Sequence, residues 1–250
     1  MALAVALTGC ASDVDLAATG TQNATSPYTL ASPTNSQPPP SAGFNPFADA
    51  TATATPLRQV IAQPTIAQVL QTGALPEMSW GRADAPVTVV KYASLTCPIC
   101  RQFQREVFPK LKRTYIDTGK VRFILREFPI GRSSGNATIA LRCADPAKYM
   151  QLYERFLNQQ ARWVSQDVRL DAIHAVAKPL GLTRAKFDAC LADQKLISDL
   201  NWVKDRGRTL GIIGTPNFFI QNKRIKKALD FPAMQKEIDA ALTASVASAG

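Results

Sequence analysis

Histidine is almost missing from this chain: His174 is the only one among 250 residues. A structural zinc site takes four ligands, usually as two close pairs of Cys or His. Cys97 and Cys100 form one such pair, but Cys143 and Cys190 are far apart and form no second CxxC. His174 sits in an apolar helical stretch, "RLDAIHAVAKPLGL", without ligand spacing. A copper site would want His or Met beside the Cys pair, and none is close in sequence. Metal binding is therefore poorly supplied, and the expected metal complement is none.

Charge is missing from the first third. Residues 1–75 carry only Asp13, Asp15, Asp49 and Arg58, a net of −2, so the remaining 175 residues carry +12 against an overall +10. A basic body can point to nucleic acid, an anionic membrane surface or acidic partners. Here the basic residues are scattered through periodic segments. The densest run, Lys223-Arg224-Ile225-Lys226-Lys227, is short and reads as a turn and strand edge. No nucleic-acid-binding motif accompanies it, so a nucleic-acid partner is not expected.

From Ala11 to about Pro64 the chain is Ala, Thr, Ser, Pro, Gln and Asn, including Pro38-Pro39-Pro40. Large apolar side chains are too few for burial to offset the entropy of ordering. The expectation is a disordered tether over 11–75, able to span about 40 Å. The stretch "IAQVLQTGALPEMSWG" near its end has some helical periodicity and could pack on a core.

The body reads as α/β. "VTVVKYA" (87–93) is a short, β-branched, buried strand, and "VRFILREF" (121–128) is a second one. Between them Ile99, Phe103, Val107 and Leu111 recur every four residues, which predicts a helix closed at Asp117-Thr118-Gly119. Residues 136 to about 210 hold only helical patterns, with Thr183 as one N-cap candidate. Strand character then returns at Asn217–Ile220, turns at Gln221-Asn222, and is followed by a last helix from about Phe231 to Leu242.

"SLTCPIC" (94–100) carries the chemistry. Proline is favoured at the first helical position, where its missing N–H costs nothing. Pro98 there makes Cys97 the N-cap, facing unpaired N–H groups and the positive end of the helix dipole. Cysteines so placed ionise well below the usual pKa of about 8.5. Cys100 lies one turn in, sheltered and able to close a ring. An activated outer sulfur beside a sheltered inner one suits thiol–disulfide exchange. Zinc or copper ligation and two inert thiols are the alternatives at this point.

"APVTVVKYASLTCPICRQF", "VRFILREFPI", a helical insertion and "GTPNFFI" occur in the order found in the DsbA-type branch of the thioredoxin superfamily, which residues 80–250 resemble. The resemblance implies a thioredoxin fold with a mixed sheet, interrupted by an all-α subdomain. It divides the chain into thioredoxin parts at 76–130 and 211–250 and a helical insertion at 131–210. It implies a dithiol oxidase with catalytic Cys97 and Cys100, supported by Pro98 and Ile99, needing no cofactor beyond their redox-active disulfide. It also implies a cis peptide before Pro216, with the backbone of Thr215 facing the disulfide and pairing with substrate, and a structural Cys143–Cys190 disulfide. Reduced or unfolded exported proteins would be the substrates, and a quinone-linked membrane protein resembling DsbB would reoxidise the pair. Glu127 is a candidate proton carrier below Cys100, or half of an ion pair.

Three departures accompany the resemblance. Ile99 stands where the best-known DsbA has His, which predicts a pair less oxidising than DsbA and more so than thioredoxin. Asn217 stands where Thr is usual, and the hairpin glycine is absent. At the start, "LTGC" in "MALAVALTGC" resembles a bacterial lipobox, although no Lys or Arg precedes the apolar run. Lipidation of Cys10 after a 1–10 signal-like segment would tether the protein in the periplasm. The competing functions are a reductase or isomerase on the same fold, a metal-binding assembly factor using the Cys pair, and a tethered holdase using apolar surface near Ile99 and Phe218-Phe219.

Overall fold

The computed structural model describes residues 59–247. Cys10, the signal-like segment and most of the expected tether lie outside those residues.

The expectation of disorder fails for the end of the tether. The Ile61 N–H donates to Thr209 O at 2.8 Å, and a short helix α1 follows at Ile66–Leu70. Thr65 caps it in a reciprocal box with Gln68, and Val69 is fully buried. The Arg126 guanidinium donates to Val69 O at 2.7 Å and pairs with Glu77 at 2.9 Å. Composition hid this, because one buried Val and two backbone anchors order a segment whose average is polar.

The sheet has five strands, β1 (Met78–Trp80), β2 (Val87–Ala93), β3 (Val121–Glu127), β4 (Asn217–Ile220) and β5 (Lys223–Ile225), in the order β1-β3-β2-β4-β5. Only β2 and β3 run parallel, and the other three pairings are antiparallel. A parallel pair needs a crossover, and the segment holding Cys97 and Cys100 supplies it. β2 is central and every residue in it is buried.

That crossover is not the single helix expected. It is α2 (Pro98–Glu106), α3 (Phe108–Leu111) and a π-helical turn (Lys112–Ile116). Pro109 has no N–H for the carbonyl one turn back, so α2 stops and the chain restarts with Pro109 in the first turn of α3. The apolar period survives the break, since Phe103, Val107, Phe108 and Leu111 all remain buried. Gly119 closes the crossover at φ +76°, the left-handed conformation that glycine adopts freely.

Helices α4 (Gly131–Cys143), α5 (Tyr149–Asn158), α6 (Gln160–Trp163), α7 (Leu170–Ala177), α8 (Arg184–Ala192) and α9 (Gln194–Thr209) lie between β3 and β4. Thr183 caps α8 by accepting from Lys186 N. Cys143 on α4 and Cys190 on α8 are joined by a disulfide. After β5 comes α10 (Phe231–Ala247).

Strand alternation splits the core. Val87, Val89, Ala93, Phe123, Leu125, Phe218 and Ile220 face one large cluster with α2, α4, α5, α7 and α10. Val90, Tyr92, Ile124 and Phe219 face a smaller cluster with Val69, Phe128, Leu210 and Ile212. The site sits at the end of β2, where the chain leaves the sheet to enter α2.

Candidate functional site: a cysteine pair at a helix start

Cys97 is the N-cap of α2 and Pro98 its first residue. The cap geometry follows from the sequence. Pro98 forces φ and cannot donate, so the chain turns into the helix there, and the Cys97 side chain is left over the first N–H groups. Its Sγ accepts from Cys100 N at 3.2 Å, and its thiol donates to Thr215 O at 3.3 Å. Thr215 precedes Pro216 through a cis peptide bond. The structure thus brings Thr215 and Pro216 to the Cys97–Cys100 pair from a distant part of the sequence.

The two sulfurs differ in surroundings. Cys97 is partly exposed and Cys100 is fully buried. The Cys97 thiol is pushed down to about 6. The largest cause is the hydrogen bond from the Cys100 thiol. Burial opposes it, and Thr215 and the Cys100 and Ile99 N–H groups add to it. The buried Thr215 hydroxyl favours the ionised sulfur. Cys100 shifts the other way: burial pushes it well above its ordinary value, and its bond to Cys97 adds to that.

The loop carrying Cys97 is held by residues the sequence did not flag. Gln160 on α6 donates to Leu95 O at 2.8 Å and Cys97 O at 3.1 Å. Ser94 Oγ bonds Ser134 at 2.8 Å and accepts from Ile130 N at 3.3 Å. Asn217 donates to Gly214 O at 2.8 Å, which fixes the loop before Pro216. Gly211, at φ +79°, lets that loop leave α9; a Cβ there would sit 1.8 Å from the Arg224 guanidinium. Polar side chains in loops and helix ends carry no periodic signal, so their roles emerge only from the tertiary arrangement.

The segments that carry or adjoin the site expose large apolar side chains. Ile99 is 44% exposed, Ile130 47% and Ile213 95%. These side chains come from α2, the β3–α4 junction and the loop before Pro216.

Glu127 is buried and accepts from the Arg142 guanidinium and from Tyr149 OH at 2.6 Å. Burial works against its ionisation, but the Arg142 charge and these hydrogen bonds prevail and hold it below the usual carboxylate range. Its partners are therefore Arg142 and Tyr149, not Cys100. Lys91, in the middle of β2, is the charged group that does feel both sulfurs. Burial pulls its ammonium down to about 8 while the two cysteines push it up. A lysine inside "VTVVKYA" was the available signal. His174 accepts no ligand role: its Nε2 lies 2.9 Å from Leu182 O and its ring stacks on Phe187. Among the described residues no group of three or more His, Cys, Asp or Glu is placed to hold a metal.

A central mixed sheet, a Cys-Pro-x-Cys pair opening the crossover helix and a cis proline against the outer sulfur together define a thioredoxin-fold protein of the DsbA-like kind. The chain belongs to the thioredoxin family, whose profile matches residues 74–240. It is 32% identical over 149 residues to a putative protein-disulfide oxidoreductase of Rickettsia bellii, covering 58% of this chain and 56% of that protein. It is 30% identical over 173 residues to a probable disulfide bond formation protein D of Bacillus cereus, covering 65% and 77% of the two chains. The chain thus spans little more than half the length of the Rickettsia relative. Among solved structures, alpha-DsbA1 of Wolbachia pipientis superposes with a TM-score of 0.65 at 26% identity, covering 74% of this chain and all of that one.

Proposed function

We propose that the protein is a thiol:disulfide oxidoreductase, working as a DsbA-like dithiol oxidase on exported proteins. The observation that carries this reading is the asymmetry of the pair: a partly exposed Cys97 held near pKa 6 over a buried Cys100 held well above its ordinary value. The similarity to proteins named for disulfide oxidation and disulfide bond formation supports it.

In the reaction, a substrate thiolate attacks Cys97 Sγ of the oxidised pair. The Cys97–Cys100 bond breaks, its electron pair goes to Cys100, and a mixed disulfide forms. A second substrate thiolate then attacks the substrate sulfur. Cys97 leaves as a thiolate, the substrate departs with a new disulfide, and the protein is left reduced by two electrons. Cys97 leaves readily because its thiolate is stabilised at the helix start. The Thr215 carbonyl and the exposed Ile99, Ile130 and Ile213 offer extended, apolar substrate segments a place to lie beside that sulfur. A DsbB-like membrane protein would reoxidise the pair. Lipidation at Cys10 and the N-terminal segment would tether the domain in the periplasm; among the described residues no helix is long and apolar enough to cross a membrane.

A second reading, a reductase or isomerase on the same fold, is favoured by one feature. Ile99 offers no side-chain donor to the Cys97 thiolate. Titration of the pair in glutathione buffers decides between them. An oxidase should show a reduction potential above about −200 mV and restore activity to reduced, denatured ribonuclease. A value well below about −200 mV, with reduction of insulin but no oxidation of ribonuclease, sinks the oxidase reading.

A further inference from the structure

Lys91 is a fully buried lysine in a strand that is otherwise apolar but for Thr88. Alternation along β2 puts it on the face of Val89 and Ala93, under α2 and α5. Its Nζ lies 4.3 Å from the centroid of the Phe103 ring and 5.6 Å from that of Tyr153, and 3.3 Å from Tyr153 OH. Phe103 stands one helical turn after Cys100 on α2, and the ammonium is close enough to the inner sulfur for the two charges to act on each other. No carboxylate forms an ion pair with Lys91 among the described residues. Glu127 on β3, the buried acid of this region, is already taken by Arg142 on α4 and Tyr149 on α5. The remaining titratable groups facing Lys91 are Cys97 and Cys100 on α2 and Tyr153 on α5.

A buried charge without a counter-ion is costly to keep. The missing negative charge is made by the reaction itself. Opening the Cys97–Cys100 disulfide moves a thiolate charge from the substrate sulfur, in water, to Cys100, in the protein interior. No proton need move in that step, so the inner thiolate must be stabilised where it forms.

We propose that Lys91 is a positioning residue for disulfide exchange: its buried ammonium is the counter-charge for the thiolate that appears on Cys100 each time the disulfide opens. It thereby sets how oxidising the pair is and how readily Cys100 attacks a mixed disulfide. This deepens, and rests on, the exchange function proposed above. The Lys91 charge is the one influence of a neighbouring side chain that favours the Cys100 thiolate, against burial and the Cys97 sulfur. The Tyr153 hydroxyl and the Phe103 ring keep the ammonium in place in the absence of that thiolate.

The test replaces the charge and leaves the stem: Lys91→Met, with Lys91→Gln as a second neutral variant and Lys91→Arg to keep the charge. The reduced protein is converted to its Cys97 mixed disulfide with an aromatic thiol, and release of that thiol by Cys100 is followed from pH 5 to 10. Lys91→Met should slow release at pH 7 by roughly tenfold or more, as a rise of one unit or more in the Cys100 pKa requires. Its release profile should shift to higher pH, its pair should become less oxidising, and Lys91→Arg should restore much of each. Melting temperature separates this from packing. Relief of an uncompensated buried charge should leave the oxidised Lys91→Met protein at least as stable as the parent.

Unchanged release rates and potential in both neutral variants would overturn the proposal. So would a fall in melting temperature with no shift of the release profile. Should Lys91→Met fail to fold, Lys91→Gln is read by the same measures; failure of both neutral variants to fold, with Lys91→Arg folding, would mean that the charge serves the fold and would also overturn it. If the parent oxidises no protein substrate, the proposed function fails, yet thiol release still reports on Lys91 independently.

Discussion

Pro98 and Ile99 show how much chemistry two residues between cysteines decide. Pro98 makes Cys97 an N-cap, and the cap gives its sulfur the Cys100 N–H at 3.2 Å. Ile99 contributes a backbone N–H and an exposed apolar side chain, but no side-chain donor. Ile99→His should therefore add a donor, charged near neutral pH, beside the thiolate. Iodoacetamide alkylation of Cys97, measured against pH, should show its midpoint moving below about 6, and the pair should become more oxidising by about 30 mV for each pKa unit gained. An unmoved midpoint and potential would mean that Ile99 lies outside the electrostatics of the sulfur. Glu127 teaches the opposite lesson. It sits in a strand at the site, but the Arg142 guanidinium and the Tyr149 hydroxyl claim it, and Lys91 is the buried charge that acts on Cys100.

At the scale of elements, β2 and α2 set the site and the inserted helices hold it. Gln160 at the start of α6 reaches back to the carbonyls of Leu95 and Cys97, so the insertion grips the loop that carries the outer sulfur. The Cys143–Cys190 disulfide ties α4 to α8 at a sequence separation of 47. In the chain-entropy account a loop of that size contributes at most about 4 kcal/mol, with less usually realised. Replacing both cysteines by Ala should lower stability by about 2–4 kcal/mol in urea titrations while Cys97 keeps its alkylation midpoint. A midpoint that moved with the disulfide would show that the insertion tunes the sulfur, and would contradict a purely structural bond.

The molecule as a whole should respond to pH differently in its two redox states. In the reduced state the folded Cys97 has a pKa of about 6 against 9.0 for the free thiol. A depressed pKa stabilises the fold above the unfolded value, and that contribution is lost as pH falls from about 9 to about 6. The oxidised state has no such thiol. Cys100, shifted upward, acts only above its ordinary value and leaves this window alone. From pH 6 to 8 the reduced form should therefore gain on the oxidised form by about 1 kcal/mol, after allowing for solvent at the partly exposed sulfur. Calorimetry should read this as a relative rise of about 2–4 °C in melting temperature. A constant difference between the two forms across that range would mean that Cys97 is not a stabilised thiolate.

The sequence by itself determined the local chemistry. A β-branched strand, then a proline at the first helical position between two cysteines, specifies a helix with the outer sulfur at its N-cap. The strand–helix–strand order, the return of strand character at Asn217 and the Thr183 cap were legible for the same reason: they rest on spacing within one segment. The break at Pro109 was written in the sequence too, but the unbroken apolar period masked it. Only the tertiary structure decided which distant groups meet the sulfurs. It set the Thr215 carbonyl 3.3 Å from Cys97, gave Glu127 to Arg142, anchored residues 61–70 on the sheet and brought the Lys91 charge within reach of Cys100. These depend on how layers pack across a sheet. A charge or a hydroxyl in one segment does not specify its partner in another until the chain closes around it.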